Sequence, residues 1–394
     1  MPHILIYGLI FLAVFTLGTL AWVFWRFLLR KDRAVTAPLG KYKIVEVQPL
    51  PTFMKDRLAI DSQSDQWRER MYKCGEQMKS HNLNHVVFIS GTFVGNDPFG
   101  ISRILENSAL PMSKLSSEIL KKIAHKGISK LIGDKGNFSH EYVKIFGEAI
   151  KHDISSQSFI WSSGNDHMAR LVSTIELCQY ISQLTIEKKK ILLIGHSHAG
   201  QLFALITQMM ASSKKLKIFT DIALRANCST ESLKRDIDKL KECEIAMVTM
   251  GTPCRYSFEK NSNVSVLHII NHRGLTPYGG SWSGIPFTKD GDYIQQMAVC
   301  GSDIPAASVE LRNLNEELNE FLGVGFNLTE WKINLKDKKI IHDRGFNYLV
   351  NYQDDSNIPN AHLTNFGHAS YTQFKSMLLN TELIVDFFYR IGHR

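Results

Sequence analysis

Apolar residues fall along this chain in blocks of two kinds. Some are short unbroken runs, such as Val86-Val87-Phe88-Ile89 and Ile191-Leu192-Leu193-Ile194, which predict strands buried on both faces. Others recur at helical spacing, as in Trp67, Met71, Cys74 and Met78, or Leu202, Phe203, Leu205 and Ile206. Each of these predicts a helix with one face on a core. Read in order, the pattern predicts strands over 42–47, 85–89, 159–161, 191–194, 244–250, 294–300 and 346–352. Helices are predicted over 66–79, from Met168 to Cys178, after Ala199, around Leu311 to Phe321, and from Gln373 to Arg390 with a break near Asn380. Strands alternating with helices predict an α/β protein with a mostly parallel central sheet and helices on both of its faces.

The first apolar run is of another type. Ile4 to Trp25 carries no charge, and as a helix it would be roughly 33 Å long, enough to cross a bilayer. Trp22 and Trp25 lie at its C-terminal edge, and Arg26, Arg30, Lys31 and Arg33 follow. Positive charge after the span predicts a single-pass membrane anchor with the main domain in the cytoplasm. The expected organisation is thus an anchor with its basic flank (1–33), a connector punctuated by Pro38, Pro49 and Pro51 (34–84), and one large domain (85–394). Within that domain, 101–152 is longer than a single crossover requires and reads as a helical insertion. Residues 273–296, rich in Gly, Pro and aromatics, read as a loop, either a lid over a site or plain surface.

Composition narrows the function classes. The 394 residues, 44% of them hydrophobic, have a net charge of +8, enough core for a large globular domain. The positive charge is spread over short clusters such as Lys188-Lys189-Lys190 and Lys214-Lys215. This suits solvated surface or attraction to anionic lipid, and no nucleic-acid reader motif accompanies it. Six cysteines are scattered without a CxxC pair, which points away from a disulfide framework. His196 and His198 are the nearest approach to a metal pair, but a sharp turn aims them differently and no third ligand sits at useful spacing. Neither a metal nor a cofactor is expected.

The chemistry concentrates in Gly195-His196-Ser197-His198-Ala199-Gly200, set between the run 191–194 and a helix. A strand that turns abruptly into a helix strains the serine backbone and needs small neighbours. It also leaves the hydroxyl exposed at a helix N-terminus, where a developing oxyanion is favoured. This stretch resembles the nucleophile elbow of the α/β-hydrolase family, with Ala199 in place of the usual last glycine. The resemblance covers most of 85–390 and implies an α/β-hydrolase fold with a Ser…Asp…His order of catalytic residues. It assigns Ser197 as nucleophile, Asp303 in Gly301-Ser302-Asp303 as acid, and His368 as base. Asp354 and Asp355 compete for the acid, and His362 for the base. The resemblance also gives the oxyanion hole to the backbone N–H groups of Thr92 and His198, although the strand at 85–89 ends in Ser90-Gly91 where the family commonly has His-Gly. Gly91, Phe93, His196 and Thr252, the last in a lipase-like Gly251-Thr252-Pro253 turn, would surround the substrate. The implied activity is hydrolysis of a carboxylic ester, lipid-like or hydrophobic, by a membrane-anchored serine hydrolase. Acyl transfer would use the same residues, and a non-catalytic scaffold on the same fold is the other alternative. Oligomeric state is left open.

Overall fold

The computed structural model describes residues 47–49, 60–91, 136–184, 190–272, 280, 282–299, 301, 303, 308–324, 340–352, 361 and 364–389. The apolar run 4–25, most of the insertion 101–152, and Thr92, Phe93, Asp354, Asp355 and His362 lie outside these residues. Among the described residues no helix is long and apolar enough to cross a membrane. The described residues belong to one compact unit, Thr36–Arg394.

Its centre is a seven-stranded sheet made of β1 (Val47–Pro49), β2 (Leu83–Ile89), β3 (Ser155–Phe159), β4 (Lys190–His196), β5 (Ile245–Met250), β6 (Val264–Asn271) and β7 (Phe346–Val350). The spatial order is β1-β7-β6-β5-β4-β2-β3, and every neighbouring pair is parallel. The central strands β2 and β4 carry unbroken apolar runs because both of their faces are covered. Ile191 and Leu193 of β4 join one core together with Val87 and Ile89 of β2. Leu192 and Ile194 join the opposite core together with Val86 and Phe88.

Nine helices lie among the described residues: α1 (Asp65–Ser80), α2 (His140–Ile150), α3 (His167–Leu184), α4 (Ala199–Ala211), α5 (Ser213–Arg225), α6 (Leu233–Lys241), α7 (Tyr293–Ala298), α8 (Val309–Leu322) and α9 (Phe374–Phe388). The side chains of α3, α4, α5, α6 and α8 fill the first core; those of α1, α2 and α9 fill the second. Crossovers between parallel strands are right-handed, so connections running in opposite directions along the sheet place their helices on opposite faces. The chain leaves β2 toward β3 on one side, with α2 on the way. It leaves β4 toward β5 on the other, through α4 to α6. Since β2 and β4 are neighbours, they form the point at which strand order reverses. In open parallel sheets the crevice beyond the carboxyl ends of such a pair is where ligands bind. Gly91 and Ser197 follow those two strand ends.

Besides the third strand, which is β3 over Ser155–Phe159 where 159–161 is expected, four elements differ from the sequence expectation. Residues 294–300 do not form a strand. Most of them form α7, whose first turn is capped by Asp292 accepting from the Gln295 N–H at 2.8 Å. In so short an apolar run, periodicity does not separate helix from strand. The sixth strand is instead β6, over Val264–Asn271, which the pattern reading passes over. The described end of the insertion, α2, is not a cap: Tyr142, Val143, Phe146, Ala149 and Ile150 are buried in the second core, and the Phe146 ring packs edge-on against Phe88 at 5.0 Å. Finally, α9 runs unbroken through Asn380, whose side-chain amide donates to the Tyr371 carbonyl and whose oxygen accepts from the Tyr352 hydroxyl at 2.6 Å. Buried polar groups partnered in this way do not interrupt a helix.

Candidate active site

Ser197 follows the last residue of β4 with a φ of 56°, a left-handed conformation that costs a non-glycine residue about 1–3 kcal/mol. Its surroundings hold it there. The Ser197 N–H donates to the Met250 carbonyl at 2.8 Å, and its own carbonyl accepts from the Thr252 hydroxyl at 2.7 Å. Three glycines make room. A Cβ on Gly195 would lie 2.8 Å from the Phe203 ring, one on Gly200 2.2 Å from the Thr252 hydroxyl, and one on Gly91 2.6 Å from the Ser197 Cβ. None of these contacts is tolerated by a real side chain. Strand, serine and helix can therefore pack this closely only with bare α-carbons at those three positions. His198 stands at the N-cap of α4, where the partial positive charge of the helix end is greatest.

Gly91 is positioned by its neighbour Ser90. The Ser90 hydroxyl donates to Asn137 Oδ1 at 2.6 Å and accepts from the Phe138 N–H, while its carbonyl takes the Trp161 indole N–H at 2.7 Å.

His368 lies in the segment between β7 and α9, as expected, and is 9% exposed. Its Nδ1 lies 2.7 Å from Asp292 Oδ2, and Asp292 is fully buried. The same carboxylate accepts the Tyr371 hydroxyl at 3.0 Å through Oδ2 and the Gln295 N–H through Oδ1. The Tyr371 oxygen in turn accepts from the Asn271 N–H at 2.7 Å. Burial, together with the Asp292 charge, holds the Tyr371 phenol well above its ordinary pKa, so the hydroxyl stays a donor. A carboxylate on Nδ1 selects the tautomer that leaves Nε2 unprotonated, the state a general base requires.

The two loops that bring Asp292 and His368 together meet backbone to backbone. A Cβ on Gly367 would fall 2.1 Å from the Gly291 carbonyl oxygen, and the Tyr293 N–H donates to the Phe366 carbonyl at 2.9 Å. Gly251, with a φ of 61°, is bare for a related reason, since a Cβ there would lie 2.6 Å from the Tyr371 ring and 2.8 Å from Asp292 Oδ2. The Gly-Thr-Pro turn thus seats the acid at Gly251 and braces the serine at Thr252. His196 joins the two halves of the site. Its Nε2 donates to the His368 carbonyl at 3.0 Å, and the two rings are 4.5 Å apart. At 1% exposure His196 is a buried brace for the base, and burial followed by the nearby His368 holds it well below the usual pKa, hence neutral.

Asp303 is elsewhere and otherwise engaged. Its two oxygens each lie 2.7 Å from a buried guanidinium, Oδ1 from Arg170 Nη1 and Oδ2 from Arg255 Nη1. Burial opposes its charge, but Arg255 and Arg170 outweigh burial and hold Asp303 well below the usual carboxylate range. The cluster also includes His167, whose Nδ1 is bonded to the Tyr256 hydroxyl. Burial pushes the pKa of His167 down to about 3, against the pull of Asp303. Asp166 caps α3 by accepting from the Ala169 N–H, whereas Asn165 accepts from Arg170 at 2.6 Å. Asp303, expected as the acid, thus follows Ser197 and precedes His368 in the chain, but it is paired with arginines, and the carboxylate at His368 is Asp292.

Asp292, the carboxylate that meets His368, is hidden from sequence reading, and two signals mark it. Asp292-Tyr293-Ile294-Gln295 has the spacing of a capping box, and Val264-Ser265-Val266-Leu267-His268-Ile269-Ile270 is β-branched enough to reveal the strand before it. The described stretch 282–296 of the suspected lid instead packs inward around Asp292: Asp292, Gln295 and Gln296 are fully buried, and the Gln295 amide donates to the carbonyls of Thr252 and Ile340.

The chain matches no protein-family model, no curated protein and no solved structure. Among the described residues no group of three or more His, Cys, Asp or Glu side chains could hold a metal ion.

Proposed function

We propose that this protein is a serine hydrolase of the α/β-hydrolase type, cleaving carboxylic esters through Ser197, His368 and Asp292. The observation that carries the reading is the left-handed Ser197 at the end of β4, held in strain by its packing. Strain of that kind persists where a function uses it. The His368–Asp292 contact beside it supplies a base already in the required tautomer.

In this mechanism His368 Nε2 accepts the Ser197 proton as the hydroxyl oxygen attacks the ester carbonyl. Asp292 stays ionised, keeps the ring oriented and stabilises the imidazolium. The tetrahedral oxyanion forms at the N-terminus of α4, toward the backbone N–H of His198, with Thr92 as second donor. His368 then returns its proton to the departing alcohol. Water, activated by the same histidine, releases the acid from the acyl-serine. The apolar run 4–25 would tether this activity to a membrane, which favours hydrophobic or lipid esters as substrates.

The test is hydrolysis of a panel of 4-nitrophenyl esters by the full chain in detergent, beside Ser197→Ala and His368→Ala. Wild-type turnover that drops to background in both variants is expected. A folded Ser197→Ala protein that still cleaves the esters would remove the serine from the mechanism.

A further inference from the structure

The cluster around Asp303 carries a charge that its own members do not neutralise. Arg170 is fully buried and the Arg255 side chain is 2% exposed. Asp303 is the carboxylate that ion pairs place against them, and His167, held neutral by burial, adds no charge. Among the described residues the other groups bonded to the pair are neutral: Tyr256 and Asn165 bond Arg170, and the Val324 carbonyl accepts from Arg255. Two permanent cations against one carboxylate leave one positive charge in the interior. Arginine cannot shed its proton to escape the cost, and an uncompensated buried charge is expensive.

The donors are not all used. Arg170 Nη1 serves Asp303 and Tyr256, and Nη2 serves Asn165, but the buried Nε has no hydrogen-bond partner. The cluster also adjoins the candidate site. The His198 ring, next in sequence to Ser197, is held well below its usual pKa first by burial and then by Arg170, and it is within electrostatic reach of Asp303, Arg255 and His368 as well. His198, adjacent to Ser197 in the chain, is thus near both His368 and the guanidinium pair with its spare donor.

We propose that the Arg170–Arg255 pair is an anion subsite that takes a carboxylate or phosphate group carried by the ester that Ser197 attacks. Guanidinium groups suit such oxyanions because their N–H donors are planar and forked. The inference rests on the serine-hydrolase reading and narrows its substrate class from any hydrophobic ester to an acidic one.

The experiment compares mono-4-nitrophenyl esters of six- to ten-carbon diacids with the same compounds methylated at the free carboxyl, in wild type and Arg255→Gln. In parallel, inorganic phosphate is titrated into both proteins while thermal unfolding is followed. For at least one chain length, wild type should favour the acidic ester about ten-fold or more in kcat/KM. In Arg255→Gln that ratio should collapse toward one. Phosphate should raise the melting temperature of wild type more than that of the variant, as mass action requires of a ligand bound to the folded state. Equal use of acidic and methylated esters overturns the substrate assignment, even if phosphate still binds. A phosphate-insensitive melting temperature together with no ester preference overturns the subsite itself. If no ester is cleaved at all, the hydrolase reading fails, and the phosphate titration still reports on the cluster alone. Should Arg255→Gln not fold, the two wild-type comparisons decide.

Discussion

Asp292 and Asp303 flank one short helix in the chain, both buried and both partners of basic groups, yet their neighbours make them opposites. Asp292 faces a histidine, a side-chain type that can hold or release a proton, and its other contacts are neutral donors: a phenol and a backbone amide. Asp303 lies between two arginines, which cannot. A carboxylate beside a titratable base can orient it and follow its change of charge. One locked between permanent cations has no such freedom, and it serves to hold α3, the segment after β5 and the segment beyond α7 together. What a buried aspartate does is set by whether its partner's charge can change.

Substitutions at the two residues should therefore fail in different ways. Asp292→Asn should fold and lose on the order of 10⁴-fold in ester turnover, because the wrong histidine tautomer is then favoured; steady-state kinetics on a correctly folded variant checks this. Asp303→Ala should instead cost about 3–5 kcal/mol of stability by leaving two buried guanidinium groups uncompensated, visible as a lower denaturation midpoint. Equal activity losses with no difference in stability would erase the contrast.

Acid should weaken the fold by a related route. His342 is pushed down to about 4 and His167 to about 3, and His196, His198 and His268 also lie well below the ordinary value, burial being the first cause in each. Below about pH 6.5 the unfolded chain binds protons that the folded chain refuses, so stability falls as pH falls, and it is fully present above that pH. The slope is up to about 1.4 kcal/mol per pH unit for each histidine. His342→Gln should make the pH dependence of the denaturation midpoint shallower between pH 6.5 and 4; an unchanged slope would contradict its neutral burial.

Smaller effects probe how the acid is seated. Gly251→Ala meets both a positive φ and the Tyr371 ring, and should cost about 3 kcal/mol. Tyr371→Phe removes a donor to Asp292 and leaves the Asn271 N–H without its acceptor, for about 1–2 kcal/mol. Its turnover should fall only several-fold, because His368 and Gln295 still hold the carboxylate.

Much of this was readable in the chain. The runs at 85–89 and 191–194, the glycines around Ser197 and a histidine between the last strand and the last helix are local signals, and all sit where the fold needs them. The acid was not local. Asp292 and Asp303 both follow a glycine closely and both lie between nucleophile and base, so order along the chain does not separate them. The separation lies in tertiary partners: Tyr371, Gln295 and His368 for one, Arg170 and Arg255 for the other. Arg170 lies on a helix that otherwise reads as a plain apolar stripe, and nothing in its spacing shows that it is buried.

The most direct measurement is to react the folded protein with a fluorophosphonate, digest it and map the adduct by mass spectrometry. An activated serine at the elbow predicts a single adduct on Ser197, absent from Ser197→Ala and formed far more slowly by Asp292→Asn. A folded protein that takes no label, or one labelled at another residue while Ser197 stays unmodified, would contradict the account.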